Sequence, residues 1–331
     1  MPSIPQVTLA GKSVGQMGFG LMQLTWTPNP PSDEVSFAAM KAAADAGATA
    51  WSTACFYGNE ENPWANLELI ARFFKKYPEY EEKIVLVVKG GFPIPSKEDL
   101  VNKYREELVK TKSILGNKVI DVYSAARLPP GVPPEQVFEA LKTLKEEGLF
   151  IEVGASETSA PTLRKAAKIV PIAIIEIEVS LWSYEQEIQE VITWSKETKV
   201  PVFCYSPLGR GFITRTYKTP DDIPDGAFIK YLPRFQGKAF YDNLKLVDQL
   251  DVMAEKKGLT TPQLALAWIC NISPYNIPIP GSSNPERVKQ NIEAAAIKLS
   301  KEDLEELDKT LSSFPPIGGR YPDAMNGLQM Q

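Results

Sequence analysis

The residues best placed to do chemistry stand at the ends of short apolar runs. Tyr57 closes the stretch 48-ATAWSTACFYG-58, and Lys89 follows 84-IVLVV-88 directly, with Gly90 and Gly91 behind it. A phenol has an ordinary pKa of about 10, and an adjacent ammonium favours its phenolate. Such a pair can give a proton to a carbonyl oxygen while the carbon is reduced. Each residue also has a plainer reading: Lys89 as a side chain leaving a strand for water, Tyr57 as a packing aromatic with a satisfied hydroxyl. Two further polar strand ends are Ser156-Glu157 and Tyr205-Ser206, the latter ahead of a glycine-rich turn.

The stretch 278-PIPGSSNPERVKQN-291 places small residues at a strand exit and opens a helix with Asn284-Pro285. Free N–H groups at a helix start favour an anion, and Arg287 in the first turn could fork onto a phosphate. A plain surface cap with an exposed arginine accounts for it equally. Glu176 and Glu178 lie two apart on one apolar strand and so share a face. They are the best case for a paired-carboxylate glycosidase. Neither is expected at the strand tip, so a structural role or contact with a cofactor amide is favoured.

The totals exclude several classes. The chain has 331 residues, 44% hydrophobic and 23% charged, as in a soluble globular protein. A net charge of −5 argues against a nucleic-acid partner. Histidine is absent altogether, which removes His-dependent zinc sites and Ser-His or Cys-His catalysis. Cys55, Cys204 and Cys270 form no CxxC pair, so neither a disulfide framework nor a thiolate metal site is expected. The opening 15 residues lack the basic and apolar regions of a signal peptide, and Glu176 and Glu178 interrupt the most apolar run. We therefore expect a cytoplasmic protein with no metal, no membrane partner and a small-molecule substrate.

These residues need a scaffold that gathers strand ends. Strands are expected at 17–24, 48–51, 84–88, 119–124, 150–155, 172–179, 201–206 and 276–280. Amphipathic helices are expected at 96–115 (N-capped by Ser96), 134–148, 263–270 and 286–296. Strand then helix, repeated about eight times, implies parallel strands with right-handed crossovers. Gly15, Gly18 and Gly20 lack the spacing of a dinucleotide-binding turn, and no linker splits the chain. The α/β class is thus a single (β/α)8 TIM barrel over 1–331. A hairpin around Ala10-Gly11 plugs its floor, and 207–240 forms a long functional loop after strand seven.

Taken in order, WSTACFYG, VVKGG, GASETS, IEVSLWS, YSPLGRGF and IPGSSNPERVKQN resemble the aldo-keto reductases, and most closely the fungal pyridoxal reductases. The resemblance covers nearly the whole chain. It implies NADPH-dependent reduction of an aldehyde, with NADH not excluded, on a barrel that uses no metal. Tyr57 would be the proton donor, Lys89 its pKa partner, and Ser52 would stand where many members carry an aspartate. Ser156, Glu157 and Glu176 would hold the nicotinamide amide, and Tyr205 would stack on its ring. Gly20, Ser206, Leu208, Gly209 and Gly211 would line the cofactor. Ser282, Ser283, Arg287, Gln290 and Asn291 would surround the 2′-phosphate. Met22, Trp26 and Phe56 are candidate walls of the substrate pocket.

Departures from the family pattern carry expectations of their own. Without a carboxylate at Ser52, Lys89 would lose an orienting partner and keep more of its charge for Tyr57. Ala126 stands where many members have a histidine that orients the carbonyl, although the pyridoxal reductases also lack it. Gly281 replaces a common lysine. The favoured activity is pyridoxal to pyridoxine, and the alternative is an NADPH-binding barrel with little or no catalysis.

Overall fold

A computed structural model describes residues 3–94 and 100–331. Eight parallel strands lie side by side in chain order: β3 (Phe19–Gly20), β4 (Ala50–Ala54), β5 (Val85–Gly90), β6 (Val122–Ala125), β7 (Glu152–Ser156), β8 (Ile172–Glu178), β9 (Val202–Tyr205) and β10 (Asn276–Pro278). The seam between the first and last is bridged where Gly18 N donates to the Pro278 carbonyl at 2.9 Å. It needs glycine. A Cβ on Gly20 would lie 2.7 Å from the Ile279 carbonyl oxygen, and one on Gly18 would lie 2.7 Å from that of Ala50. The result is a (β/α)8 barrel.

The helices follow the strands: α1 (Asp33–Asp45), α2 (Ala65–Lys76), α3 (Leu100–Leu115), α4 (Pro134–Glu146), α5 (Ala160–Ala166), α6 (Gln186–Thr198), α7 (Gly237–Lys256), α8 (Thr261–Ile272), α9 (Pro285–Glu293) and α10 (Lys301–Ser313). Strands buried on both faces read as unbroken apolar runs, and the two faces form two cores. Outward residues such as Trp51, Leu86, Val88, Ile175 and Ile177 pack against the helices. Inward residues Ala50, Val85, Val87, Val122, Ile174, Phe203 and Ile277 fill the barrel. The antiparallel hairpin β1 (Gln6–Leu9) and β2 (Lys12–Gly15) turns at Ala10-Gly11, both with positive φ. It inserts Val7, Leu9 and Val14 into the inner core from below. Lys12 pins it there on Asp121 at 2.9 Å, and buried Lys118 holds the same carboxylate at 3.0 Å.

Some boundaries differ from expectation. Only Phe19–Gly20 of the first expected strand joins the sheet, and Met22–Leu24 turns as a 3₁₀ segment. Glycines give that strand little to pair or pack with. The eighth strand stops at Pro278. The loop after β9 contains short 3₁₀ turns, and α7 begins at Gly237, inside the span expected to be irregular. Ser96 lies outside the described residues. Among the described residues, no helix is long and apolar enough to cross a membrane.

Candidate active site

The two-residue period of a strand builds the site. The face that fills the barrel with Ala50, Val87, Val122, Ile174 and Phe203 continues at its C-terminal end as Ser52, Lys89, Ser124, Glu176 and Tyr205. The apolar interior therefore ends in a polar layer. Lys89 is 4% exposed, and Nζ donates to three acceptors: Ser52 Oγ at 2.7 Å, Glu176 Oε1 at 2.8 Å and the Thr53 carbonyl at 3.3 Å. Ser52 Oγ in turn donates to Glu176 Oε2 at 2.8 Å. Lysine, serine and glutamate thus close a hydrogen-bonded triangle across the barrel, from β4 and β5 to β8.

The triangle corrects two expectations. Lys89 does not lack an orienting carboxylate, because Glu176 supplies one from the opposite wall. Glu176 is accordingly engaged with Lys89 and Ser52. Its charge also offsets that of Lys89 beside Tyr57. The Lys89 ammonium stands 5.1 Å from the centre of the Tyr57 ring. Burial pushes the Tyr57 phenol above its ordinary range. Lys89 pulls it down, Glu176 pushes it up again, and Arg127 pulls it down a little. Lys89 acts in the expected direction, but burial outweighs it and the phenol keeps its proton. Lys89 itself has a raised pKa: burial opposes its charge, and Glu176 and Tyr57 more than restore it.

Tyr57 is placed from outside the barrel. Its carbonyl accepts from Thr25 Oγ1 at 2.7 Å. Fully buried Asn66 donates to Thr25 Oγ1 at 2.7 Å and to the Leu21 carbonyl at 2.8 Å, and accepts from Thr53 Oγ1 at 2.5 Å. Trp26 stacks on the Tyr57 ring with centroids 5.5 Å apart, and Phe56 meets Tyr57 edge-on at 5.4 Å. Trp26, Phe56 and the half-exposed Phe92 thus form an aromatic wall beside the phenol, and exposed Met22 precedes Trp26 by one turn.

Lys89 is held from behind. Glu107 accepts from Gly91 N at 2.9 and 3.1 Å and from Tyr123 Oη at 2.5 Å. Burial raises the Glu107 pKa, and those donors pull it back. A Cβ on Gly90 would fall 1.7 Å from Glu107 Oε1 and 2.2 Å from Tyr123 Oη. Gly90→Ala is therefore expected to cost about 1–3 kcal/mol, as overpacking does, and to shift Lys89. Denaturant titration beside a turnover assay checks this. An unchanged midpoint with unchanged turnover would contradict it.

A second polar cluster caps β7 and β8. Glu157 takes a left-handed conformation (φ 47°), as does Ser206 (φ 49°), so the exits of β7 and β9 both hold backbone that side chains rarely adopt. Glu157 accepts from Tyr205 Oη at 2.9 Å, from Glu178 N at 3.2 Å and from Arg320 at 3.2 Å. Glu178 ends β8, contrary to the expectation that neither glutamate reaches a strand tip. It pairs with Arg210 at 3.1 Å and Arg320 at 3.6 Å. Burial raises its pKa, but the arginines bring it below the ordinary carboxylate value. With Glu176 held by Lys89 and Ser52 and Glu178 by two arginines, both carboxylates are engaged in separate ion pairs, which disfavours the paired-carboxylate reading. The C-terminal segment reaches this cluster: Gln331 N donates to the Glu157 carbonyl at 3.1 Å, and Ser159 N donates to the Gln331 carbonyl at 2.7 Å.

The remaining candidates lie on the rim. Ser156 is buried at the end of β7, in register with Glu176. Leu208, Gly209 and Gly211 form the tight turn after β9, with Arg210 at φ 56°. Ser282 and Ser283 precede α9, Arg287 lies in its first turn and Gln290 and Asn291 farther along it, all exposed or half-buried. The expected free N–H groups there are partly used, because Asn284 Oδ1 accepts from Glu286 N and Arg287 N, each at 3.0 Å. Sequence reasoning missed Arg127, Arg210, Arg320, Tyr321 and Asn66. Arg210 sits inside YSPLGRGF and Arg127 directly after Ala126, so their charge was the available signal.

A phenol and a buried ammonium thus stand side by side at the C-terminal mouth of a (β/α)8 barrel. The sequence profile of the aldo/keto reductase family matches residues 16–312, and the chain belongs to that family. It is 35% identical over 331 residues to the aldo-keto reductase yakc [NADP(+)] of Schizosaccharomyces pombe, covering 97% of this chain and 95% of the relative. It is also 35% identical over 324 residues to a probable pyridoxal reductase 2 of the same yeast, covering 94% and 96%. A solved glycerol dehydrogenase from Gluconobacter oxydans superposes with a TM-score of 0.80 at 21% identity, over 96% of this chain and 97% of that one.

Proposed function

We propose that this protein reduces a small aldehyde to its alcohol with NADPH, pyridoxal to pyridoxine being the favoured case. The supporting observation is Tyr57 against the buried, fully hydrogen-bonded Lys89 at the barrel mouth. The similarity to the two yeast proteins named for NADP(+) and for pyridoxal reduction supports the cofactor and the substrate.

The residues present fit such a cofactor, with one adjustment. Gly20 and Gly281 keep the rim clear of side chains where their backbones approach each other. Each carboxylate oxygen of Glu176 and Glu157 retains acceptor capacity, so an amide N–H could be received there beside Ser156. At α9 the Asn284 side chain already caps the helix. A 2′-phosphate would therefore rely on the Arg287 side chain and the Ser283 hydroxyl more than on backbone amides.

NADPH, when bound, supplies the reducing equivalent. Tyr57 holds its proton at Oη until negative charge builds on the carbonyl oxygen and then gives it up. Lys89 stabilises the phenolate left behind, and Ser52 and Glu176 keep the ammonium fixed meanwhile. Trp26 and Phe56 shield the phenol from water.

We expect NADPH consumption with pyridoxal to exceed that with generic aldehydes, and NADPH to be preferred over NADH. Arg287→Ala should narrow that preference by roughly tenfold, as loss of a charge-assisted contact does. Saturating binding of NADPH with no consumption across a broad aldehyde panel would instead establish a cofactor-binding barrel without catalysis. That outcome would fit Ala126, which offers no donor to a carbonyl.

A further inference from the structure

Charge accounting around the mouth leaves one cation over. The carboxylates are Glu157, Glu176 and Glu178, and the cations are Lys89, Arg127, Arg210 and Arg320. Glu176 pairs with Lys89, Glu178 with Arg210, and Glu157 with Arg320. Among the described residues Arg127 makes no ion pair. Its one hydrogen bond donates Nη1 to the neighbouring Ala126 carbonyl at 2.5 Å. A guanidinium carries five N–H donors, and on this half-buried one most are left free to receive an acceptor.

The backbone places this arginine beside Lys89 and its glycines. Ala126 N donates to the Gly90 carbonyl at 2.8 Å, which fixes the exit of β6 beside the residue that follows Lys89. From there the guanidinium is electrostatically coupled to Tyr205, Glu157, Tyr321 and Tyr57. Three of these groups form one cluster, since Tyr205 Oη bonds Glu157 at 2.9 Å and Tyr321 Oη at 3.0 Å, so the space that the guanidinium borders runs from that cluster to the Tyr57 phenol. Aromatic surface flanks that space: Trp26 is 47% exposed and Phe92 50% on one side, and Phe228 is 46% exposed against Tyr321 on the other. Planar apolar walls with a single unpaired fork of donors select a flat ring bearing an acidic substituent.

We propose that Arg127 binds the anionic substituent of the substrate, so that the site takes aromatic carbonyl compounds carrying a carboxylate, phenolate or phosphate. This rests on the reductase reading for turnover but not for binding, and the test separates the two. In steady state with saturating NADPH, wild type should favour 4-carboxybenzaldehyde over the neutral 4-nitrobenzaldehyde. Arg127→Met should lower kcat/KM for the carboxylate substrate about 30-fold more than for the nitro compound. Arg127→Lys, which keeps a point charge without the fork, should fall between.

Binding is read separately by quenching of tryptophan emission in NADP(+)-loaded protein. Benzoate should bind more tightly than benzamide, and Arg127→Met should abolish the difference. Equal losses on the two aldehydes, or benzoate affinity indifferent to Arg127→Met, would overturn the proposal. So would an Arg127→Met protein that loses NADPH affinity as steeply as benzoate affinity, since the guanidinium would then serve the cofactor. If no aldehyde is turned over yet benzoate binds through Arg127, the anion site stands and the reductase reading falls.

Discussion

Tyr57→Phe is expected to lower turnover by about 10²–10⁴-fold while leaving NADPH binding in place, the range for loss of a positioned proton donor. The ring remains, so its stacking with Trp26 and its edge contact with Phe56 persist. Only the hydroxyl is lost. Lys89→Met should be at least as damaging, but for two reasons that must be separated. It removes the cation that stabilises the phenolate, and it strands the buried carboxylate of Glu176, a defect of about 3–5 kcal/mol. The double variant Lys89→Met/Glu176→Gln removes the stranded charge. It should recover much of the stability and none of the turnover. Steady-state kinetics alongside denaturant titration distinguish these outcomes, and wild-type turnover by Tyr57→Phe would remove the phenol from the chemistry.

Glu176→Gln is expected to lower stability by about 3 kcal/mol, because it leaves the Lys89 ammonium buried without its counter-charge. The remedy lies next to it. Ser52 already bonds both partners of the pair, at 2.7 Å to Lys89 and 2.8 Å to Glu176. An aspartate at that position would put a carboxylate on the same ammonium from the β4 side. Ser52→Asp alone places two carboxylates on one lysine and should also destabilise, by less, since one of them can take a proton. Ser52→Asp/Glu176→Gln should recover most of both the stability and the turnover. A double-mutant cycle reads this directly as strong favourable coupling between the two substitutions. Additive losses would mean that the carboxylate on β8 cannot be exchanged for one on β4.

The contrast between what was and was not legible follows from range. Apolar runs separated by amphipathic segments encode a parallel barrel locally, and Ala10-Gly11 encodes its own turn. The strand ends carrying Ser52, Lys89, Ser156 and Tyr205 could be read because the two-residue period extends the inner face into the mouth. Partnerships across the barrel leave no such trace. Ser52 and Glu176 are 124 residues apart, and Glu157 meets Arg320 over 163. Treating Ser52 as an uncompensated loss therefore missed that Glu176 makes it good. Glycine explains the short first strand: residues without side chains let the seam close but give β3 little to hold it. The helix start near Arg287 invited an anion on sequence grounds, yet Asn284, the residue that marks that start, uses two of its amides.

The most direct test is the pH profile of aldehyde reduction at saturating NADPH. The chain has no histidine, so no side chain has an unperturbed pKa between pH 5 and 8. Burial holds the Tyr57 proton above the ordinary tyrosine value of about 10, and Lys89 stays charged throughout. Turnover should stay level from about pH 6 to 9 and decline only as the phenol deprotonates in the alkaline range. A decline centred near neutrality, retained in Lys89→Met, would show that some group other than the lysine-supported phenol delivers the proton.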